Sequence, residues 1–256
     1  MAKTQLSQLV ERLPEERLET NPAQAGQAAP QEEQVQRHSA LRENLVSIVV
    51  CSIFAFFVTT YVVHPMTVPT SSMEPTILVG DRLLVDKFTV RNAFGSGLPL
   101  AASHDIQRGD IVVFKHPTDI ESLWVKRVIG MPGESVEIRS KQVYVDGAAL
   151  DEPYKHHSDP SFYPGGNRDH FGPARVPEGF FFVMGDNRDN SLDSRYWGFL
   201  RRELLVGRPL VTFWSYEDQP NAHQITGFSE RLQLYAERVY YFIPRTRWRR
   251  MGQIVE

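Results

Sequence analysis

The chain has a single cysteine, Cys51. One thiol excludes an intrachain disulfide framework and any thiolate zinc site. No H-E-x-x-H pattern occurs, and the one cluster of candidate ligands, His156-His157-Ser158-Asp159, is a poor set because adjacent histidines cannot easily face one ion. The formal net charge is only −3 over 256 residues, so the clustered positive charge that drives nucleic-acid binding is missing and no nucleic-acid partner is expected. A late basic cluster, Arg245, Arg247, Arg249 and Arg250, reads as a solvated tail, with contact to anionic lipid headgroups as the alternative. No internal repeat is evident. With 41% hydrophobic and 23% charged residues, the composition suits one good-sized globular domain with appendages.

Residues 1–44 are rich in Gln, Glu, Ala and Pro and include the low-complexity run Asn21 to Pro30. Such a stretch buries too little apolar surface to offset its chain entropy, so a disordered tail is expected. Residues 45–63 then contain no charge; as a helix they would be about 28 Å long, enough to cross a hydrocarbon core. No small-x-small cleavage pattern follows Val63 and the preceding polar region is long, which favours a retained anchor over a removable leader. Arg37 and Arg42 precede the run, whereas His64 to Asp81 carries no Lys or Arg. The positive-inside rule therefore places the N-terminus in the cytoplasm and residues 64–256 outside.

Beyond the run the pattern changes to short segments rich in β-branched and aromatic residues: 83–88, 110–114, 123–130, 135–138, 142–145, 180–184 and 210–214. Turn residues at their ends predict a mainly β domain, with 135–138 and 142–145 as a hairpin. A polar stretch over about 146–177 has no strong period and reads as a loop-rich insertion.

Three constellations carry chemistry. Ser72 lies between Pro69 and Pro75, which hold their surroundings extended. That suits a stiff connector or a presented nucleophile, and a nucleophile needs a base. Strand alternation in 123–130 puts Lys126 on one face with Trp124 and Val128. Burial there disfavours the ammonium, and neutrality near pH 7 needs about 4–5 kcal/mol of differential solvation, which full desolvation supplies; a lysine snorkelling from a strand edge is the plainer alternative. The third is the charged loop 185–198, which fails the EF-hand pattern. Pairing among Asp186, Arg188, Asp193 and Arg195 would order it and leave Ser191 or Ser194 to orient Lys126.

Together, PTSSMEPTILVGDRLLVDKF, RGDIVVF, VKRVIGMPGE and GDNRDNSLDSRYWG, in this order after an N-terminal anchor, resemble bacterial-type type I signal peptidase, a membrane-anchored Ser/Lys endopeptidase. The resemblance implies a coiled β-sheet catalytic domain with one N-terminal transmembrane helix and no cofactor or metal. It implies Ser72 as nucleophile, Lys126 as general base, Ser191 as the residue that hydrogen-bonds the lysine, and an oxyanion hole from the Ser72 N–H and the Thr70 hydroxyl. Arg127 with Asp186, and Asp193 with Arg195, correspond to supporting ion pairs. Val68, Ile77, Trp124 and Val125 correspond to the walls of pockets for small side chains. Thr70 and Ser71 depart from the family pattern, where Ser and Gly are common.

The expected partners are preprotein signal peptides and the lipid bilayer, with the enzyme a monomer and the membrane plasma or thylakoid. A self-cleaving Ser/Lys repressor would need a DNA-binding helix-turn-helix where this chain has its apolar run. The remaining alternative is a membrane-anchored scaffold with an inactive peptidase fold.

Overall fold

The computed structural model describes residues 42–87, 105–218 and 227–256. Helix α1, Arg42–Val62, is long and apolar enough to cross a membrane. Its final turn, Val58–Val62, widens to π geometry before Val63 turns extended. The side chains of Arg42 to Phe57 are exposed, including those of Ile48, Ile53, Phe54 and Phe56. Two of its hydroxyls bond back within the helix: Ser52 Oγ donates to the Ile48 carbonyl at 2.7 Å and Thr59 Oγ1 to that of Phe56 at 3.2 Å. A helix in hydrocarbon needs this internal satisfaction, because no water is present to supply it. The helix differs slightly from the expected 45–63. Residues 42–44 join it, and Val63 already pairs with Asp86 in a sheet. The rest of the expected tail, 1–41, lies outside the described residues.

The strands follow in chain order: β1 (Val63–Thr67), β2 (Asp81–Asp86), β3 (Ile111–His116), β4 (Asp119–Gly130), β5 (Ser135–Arg139), β6 (Gln142–Val145), β7 (Ala148–Ala149), β8 (Phe171–Arg175), β9 (Phe180–Met184), β10 (Leu200–Arg201), β11 (Leu205–Ser215) and β12 (Gln253–Ile254). Short helices α2 (Ser194–Trp197) and α4 (Phe242–Arg245) and the longer α3 (Phe228–Tyr240) complete the chain. The larger sheet runs β1-β2-β11-β3-β4-β9-β10 with β12 added to β11; the smaller runs β7-β6-β5-β8, and the pairings are antiparallel. The fold is mainly β, as expected.

Residues from β1, β2, β3 and β4, among them Met66, Leu83, Val113 and Val125, share one hydrophobic cluster. Strand order alone would separate them, so the larger sheet coils. Register shifts in β11, between Pro209 and Val211 and again between Thr212 and Trp214, supply local twist. The last six residues of β4 are all buried, because apolar clusters lie on both of its faces, one reached by Val125 and the other by Val128. Lys126 is therefore enclosed rather than snorkelling from an edge.

The stretch 146–177 is more ordered than its sequence suggests, since β7 and β8 lie within it. β8 is an edge strand, Phe-Gly-Pro-Ala-Arg, with no buried side chain. Its Gly and Pro and its lack of alternation hide it from a period-2 reading. The β5–β6 hairpin does form as predicted. Arg139 faces Gln142 across a two-residue turn in which Ser140 and Lys141 have φ of 49° and 68°, the left-handed pair that matches strand twist.

Candidate active site

Ser72 sits in the non-helical segment between β1 and β2. That segment is closed at its base by Val68 N–H to the Asp81 carbonyl and Gly80 N–H to the Val68 carbonyl, both 2.9 Å. Gly80 has φ +88°, and a Cβ there would stand 1.9 Å from the Tyr216 carbonyl oxygen, so only glycine allows this closure. Ser72 is 8% exposed and Lys126 3%. Lys126 Nζ donates to Ser72 Oγ at 2.6 Å, across 54 residues of sequence. Burial pushes the Lys126 amine down to about 8; Asp193 and Asp186 work against that shift and Arg195 adds to it.

The loop after β9 completes the surroundings. Asn187 N–H donates to the Ser72 carbonyl and Asn187 Nδ2 to that of Ser71, each at 3.1 Å. Asn190 Nδ2 donates to Ser71 Oγ at 2.7 Å. Gly185 permits the approach, because a Cβ there would lie 2.3 Å from Ser191 Oγ and 2.4 Å from the Ser72 carbonyl oxygen. Ser191 Oγ donates to Asp193 Oδ2 at 2.7 Å. Its oxygen keeps acceptor capacity, and Ser191 lines the same cavity as Lys126, whose Nζ bonds Ser72 Oγ.

Two buried arginine–aspartate pairs frame the lysine. Arg127 holds Asp186 through Nε at 2.9 Å and Nη2 at 2.8 Å, and Thr76 Oγ1 donates to the same carboxylate at 2.6 Å. Arg195 grips Asp193 through Nε and Nη2, both at 2.8 Å. Although burial acts to raise it, Arg195 holds the Asp193 carboxyl below the usual carboxylate range. The internal pairing expected for the loop is only half of what forms. Asp186 reaches outward to Arg127 on β4, and Arg188 reaches Glu152 through a buried pair. Glu152 lies in the stretch read as loop, where no local pattern marks it.

A cavity of about 500 Å³ opens on the Ser72–Lys126 contact. Val68, Thr70, Trp124, Val125 and Ser191 line it, with Met66, Leu123 and Tyr196, which sequence reasoning missed. Ile77 does not line it; fully buried, it packs behind in the cluster with Met73 and Leu83. Trp124 is backed by the His116 ring at 4.1 Å between centroids. The possible ligands His156, His157 and Asp159 do not converge. His157 meets Asp189 and Asp159 meets Arg168, and among the described residues no group of three or more His, Cys, Asp or Glu is placed to hold a metal.

The C-terminal basic cluster is not a solvated tail. Arg250 donates to Asp81 Oδ2 at 2.6 Å and to the Thr76 carbonyl at 3.0 Å, and Arg247 to the Val79 carbonyl at 2.8 Å. Both guanidinium groups clamp the segment that carries Ser72. Only Arg249 of the four is exposed, while Arg245 lies half-buried with its guanidinium over the Tyr241 ring.

A family model described as signal peptidase, peptidase S26, matches residues 41–214. The probable signal peptidase I-2 of Synechocystis sp. is 38% identical over 191 residues, 72% of this chain and 77% of its own length. The signal peptidase I of Leptolyngbya laminosa is 34% identical over 204 residues, 77% of this chain and 88% of its own. A solved signal peptidase I of Enterococcus faecalis is 36% identical; the match covers 41% of this chain and 97% of that one, with a TM-score of 0.36.

Proposed function

The chain belongs to the signal peptidase family, peptidase S26, and we propose that it is a membrane-anchored endopeptidase that removes signal peptides through a Ser72–Lys126 dyad. The 2.6 Å contact between Lys126 Nζ and Ser72 Oγ, with the amine enclosed and depressed to about 8, carries this reading. A neutral amine takes the hydroxyl proton, and Oγ attacks the scissile carbonyl carbon. The Ser72 N–H and the Thr70 hydroxyl stabilise the oxyanion. The Lys126 ammonium returns its proton to the departing amine, leaving a Ser72 ester. Lys126 then deprotonates a water that cleaves the ester, releasing the carboxylate product and restoring the serine.

In this reading Ser191, held by its bond to Asp193, offers its oxygen to the lysine amine as an acceptor. The pairs Arg127–Asp186 and Asp193–Arg195 hold the lysine's surroundings. Val68, Trp124 and Val125 shape the cavity for small side chains, and Ile77 acts behind them by supporting the wall. In this reading α1 is the anchor, the preceding residues are cytoplasmic and 64–256 form the extracytoplasmic catalytic domain. Arg37 and Arg42, against a stretch from His64 to Gly80 that carries no Lys or Arg, support that direction. The chain from Val62 to Ser72 reaches at most about 35 Å, which suits a substrate whose own apolar segment is in the bilayer. The inactive-scaffold alternative finds no support among the relatives.

Purified full-length Ser72→Ala and Lys126→Ala, incubated with a preprotein in detergent, each lose cleavage to background. Near-normal turnover by either variant overturns the dyad.

A further inference from the structure

Helix α3 carries its apolar residues on the wrong side for a soluble domain. Phe228, Leu232, Tyr235 and Val239 recur at helical spacing and fall within about 60° of arc at ~100° per residue. They are 84%, 62%, 61% and 78% exposed, whereas Leu234, on another face, is 8% exposed. The helix is thus held to the body by one side and presents its continuous apolar stripe outward. Arg238 pairs with Asp218 and fixes this orientation. The apolar surface continues into α4 and beyond with Ile243 at 71% and Trp248 at 53% exposed.

Charge and ring chemistry point to one occupant. Residues 227–250 contain six arginines and two glutamates. Arg247 and Arg250 face inward on the segment that carries Ser72, but Arg231 and Arg249 are exposed. Tyr240 and Trp248 are exposed rings with a polar end, the kind that settles at headgroup level. Phenyl and aliphatic groups on one face, arginines beside them and amphipathic rings at the ends make an interfacial helix rather than a two-helix seam. The segment lies beyond the residues that the family model matches.

We propose that α3 lies in the surface of an anionic bilayer, with Phe228, Leu232, Tyr235 and Val239 against the acyl chains and the neighbouring arginines at the headgroups. This rests on α1 being an anchor, because an inserted helix keeps the rest of the chain beside a bilayer. The consequence is a second attachment, through the C-terminal segment that also clamps the loop of Ser72.

The test uses the full chain with Cys51→Ser, so that single labels can be placed, reconstituted in vesicles containing phosphatidylglycerol. Nitroxide labels at Leu232→Cys and Val239→Cys are compared with labels at Glu230→Cys and Gln233→Cys, and Ile53→Cys reports on α1. The expected result is a several-fold higher ratio of oxygen to aqueous-nickel collision at 232 and 239 than at 230 and 233. Equal access to aqueous nickel at all four positions overturns the proposal, provided that label 53 is shielded from nickel. Spin–spin broadening at 232 and 239 that grows with protein-to-lipid ratio, with shielding from both quenchers, overturns it in favour of a second copy. An aqueous label at 53 instead overturns the anchor reading, separately from α3. An equal contrast in phosphatidylcholine vesicles overturns the anionic part.

Discussion

Arg250 closes on Asp81 across 169 residues of sequence, with Nη2 2.6 Å from Oδ2. Asp81 is fully buried, shares its carboxylate with Ser215 Oγ at 2.5 Å, and stands at the end of the segment that presents Ser72. The last residues of the chain therefore hold the first half of the site. Arg250→Ala removes the partner of a buried carboxylate and costs about 2 kcal/mol, discounted because the arginine is itself partly exposed. The expected outcome is a lower unfolding midpoint and a fall in kcat with little change in KM, since Arg250 does not line the cavity. Arg250→Lys restores part of both; turnover and thermal unfolding of the purified variants check this.

The pH profile follows from Lys126. Its amine is pushed down to about 8 by burial, and only the neutral form accepts the serine proton. Acidification below about 8 protonates it, so kcat/KM falls about tenfold per pH unit on that side and levels above it. Asp193 raises this value and Arg195 lowers it. Asp193→Asn removes the first and unmasks the second, moving the limb to lower pH. A peptide-cleavage profile from pH 5 to 10 reads both.

Stability responds in the opposite sense to an ordinary ion pair. Below about 8 the lysine is charged in both folded and unfolded chains, and the folded chain bears the desolvation cost. Between about 8 and its ordinary 10.5 the unfolded chain holds the extra proton, so stability rises with pH. Lys126→Met lacks this dependence. Its stability relative to the parent is expected to fall by about 3 kcal/mol between pH 7 and pH 10.5, as the parent gains what the lysine proton cost it. Paired unfolding curves at the two pH values measure it.

Gly185 is a position where space alone decides. An added Cβ meets Ser191 Oγ and the Ser72 carbonyl oxygen at 2.3 and 2.4 Å, so Gly185→Ala forces the two halves of the site apart. Overpacking of this kind costs about 1–3 kcal/mol. Activity is expected to drop further than the unfolding midpoint suggests, because the displaced groups are those beside the reacting hydroxyl. A cleavage assay alongside thermal unfolding separates the two effects.

Thr70 tests the oxyanion assignment. Thr70→Val keeps the shape and removes the hydroxyl, and loss of one such donor lowers kcat about 10²–10³-fold. Thr70→Ser retains activity. An unchanged kcat in Thr70→Val assigns the hole to other donors.

Much of this molecule follows from local pattern. An uncharged run of membrane length, strands of β-branched residues ended by turn formers, and a hairpin closed by two left-handed residues depend on neighbours in sequence, so most of α1, β3 to β6 and β9 could be read directly. The Ser72 and Lys126 blocks were legible for a different reason: their residue order resembles a family. What local pattern could not contain is the environment of each group. Alternation assigns Lys126 a face, but only the coiling of the sheet, with clusters on both sides of β4, removes the water that would keep the amine charged. Nothing near Arg188 or Arg250 names Glu152 or Asp81 as partner, because a buried charge is matched by whatever the fold brings within hydrogen-bond reach. β8 is invisible in sequence since Gly172 and Pro173 interrupt any alternation, and the contact of Phe171 with Phe182 is one that only the fold creates. The spacing of α3 already holds its apolar stripe, and the tertiary structure decided that the stripe faces outward.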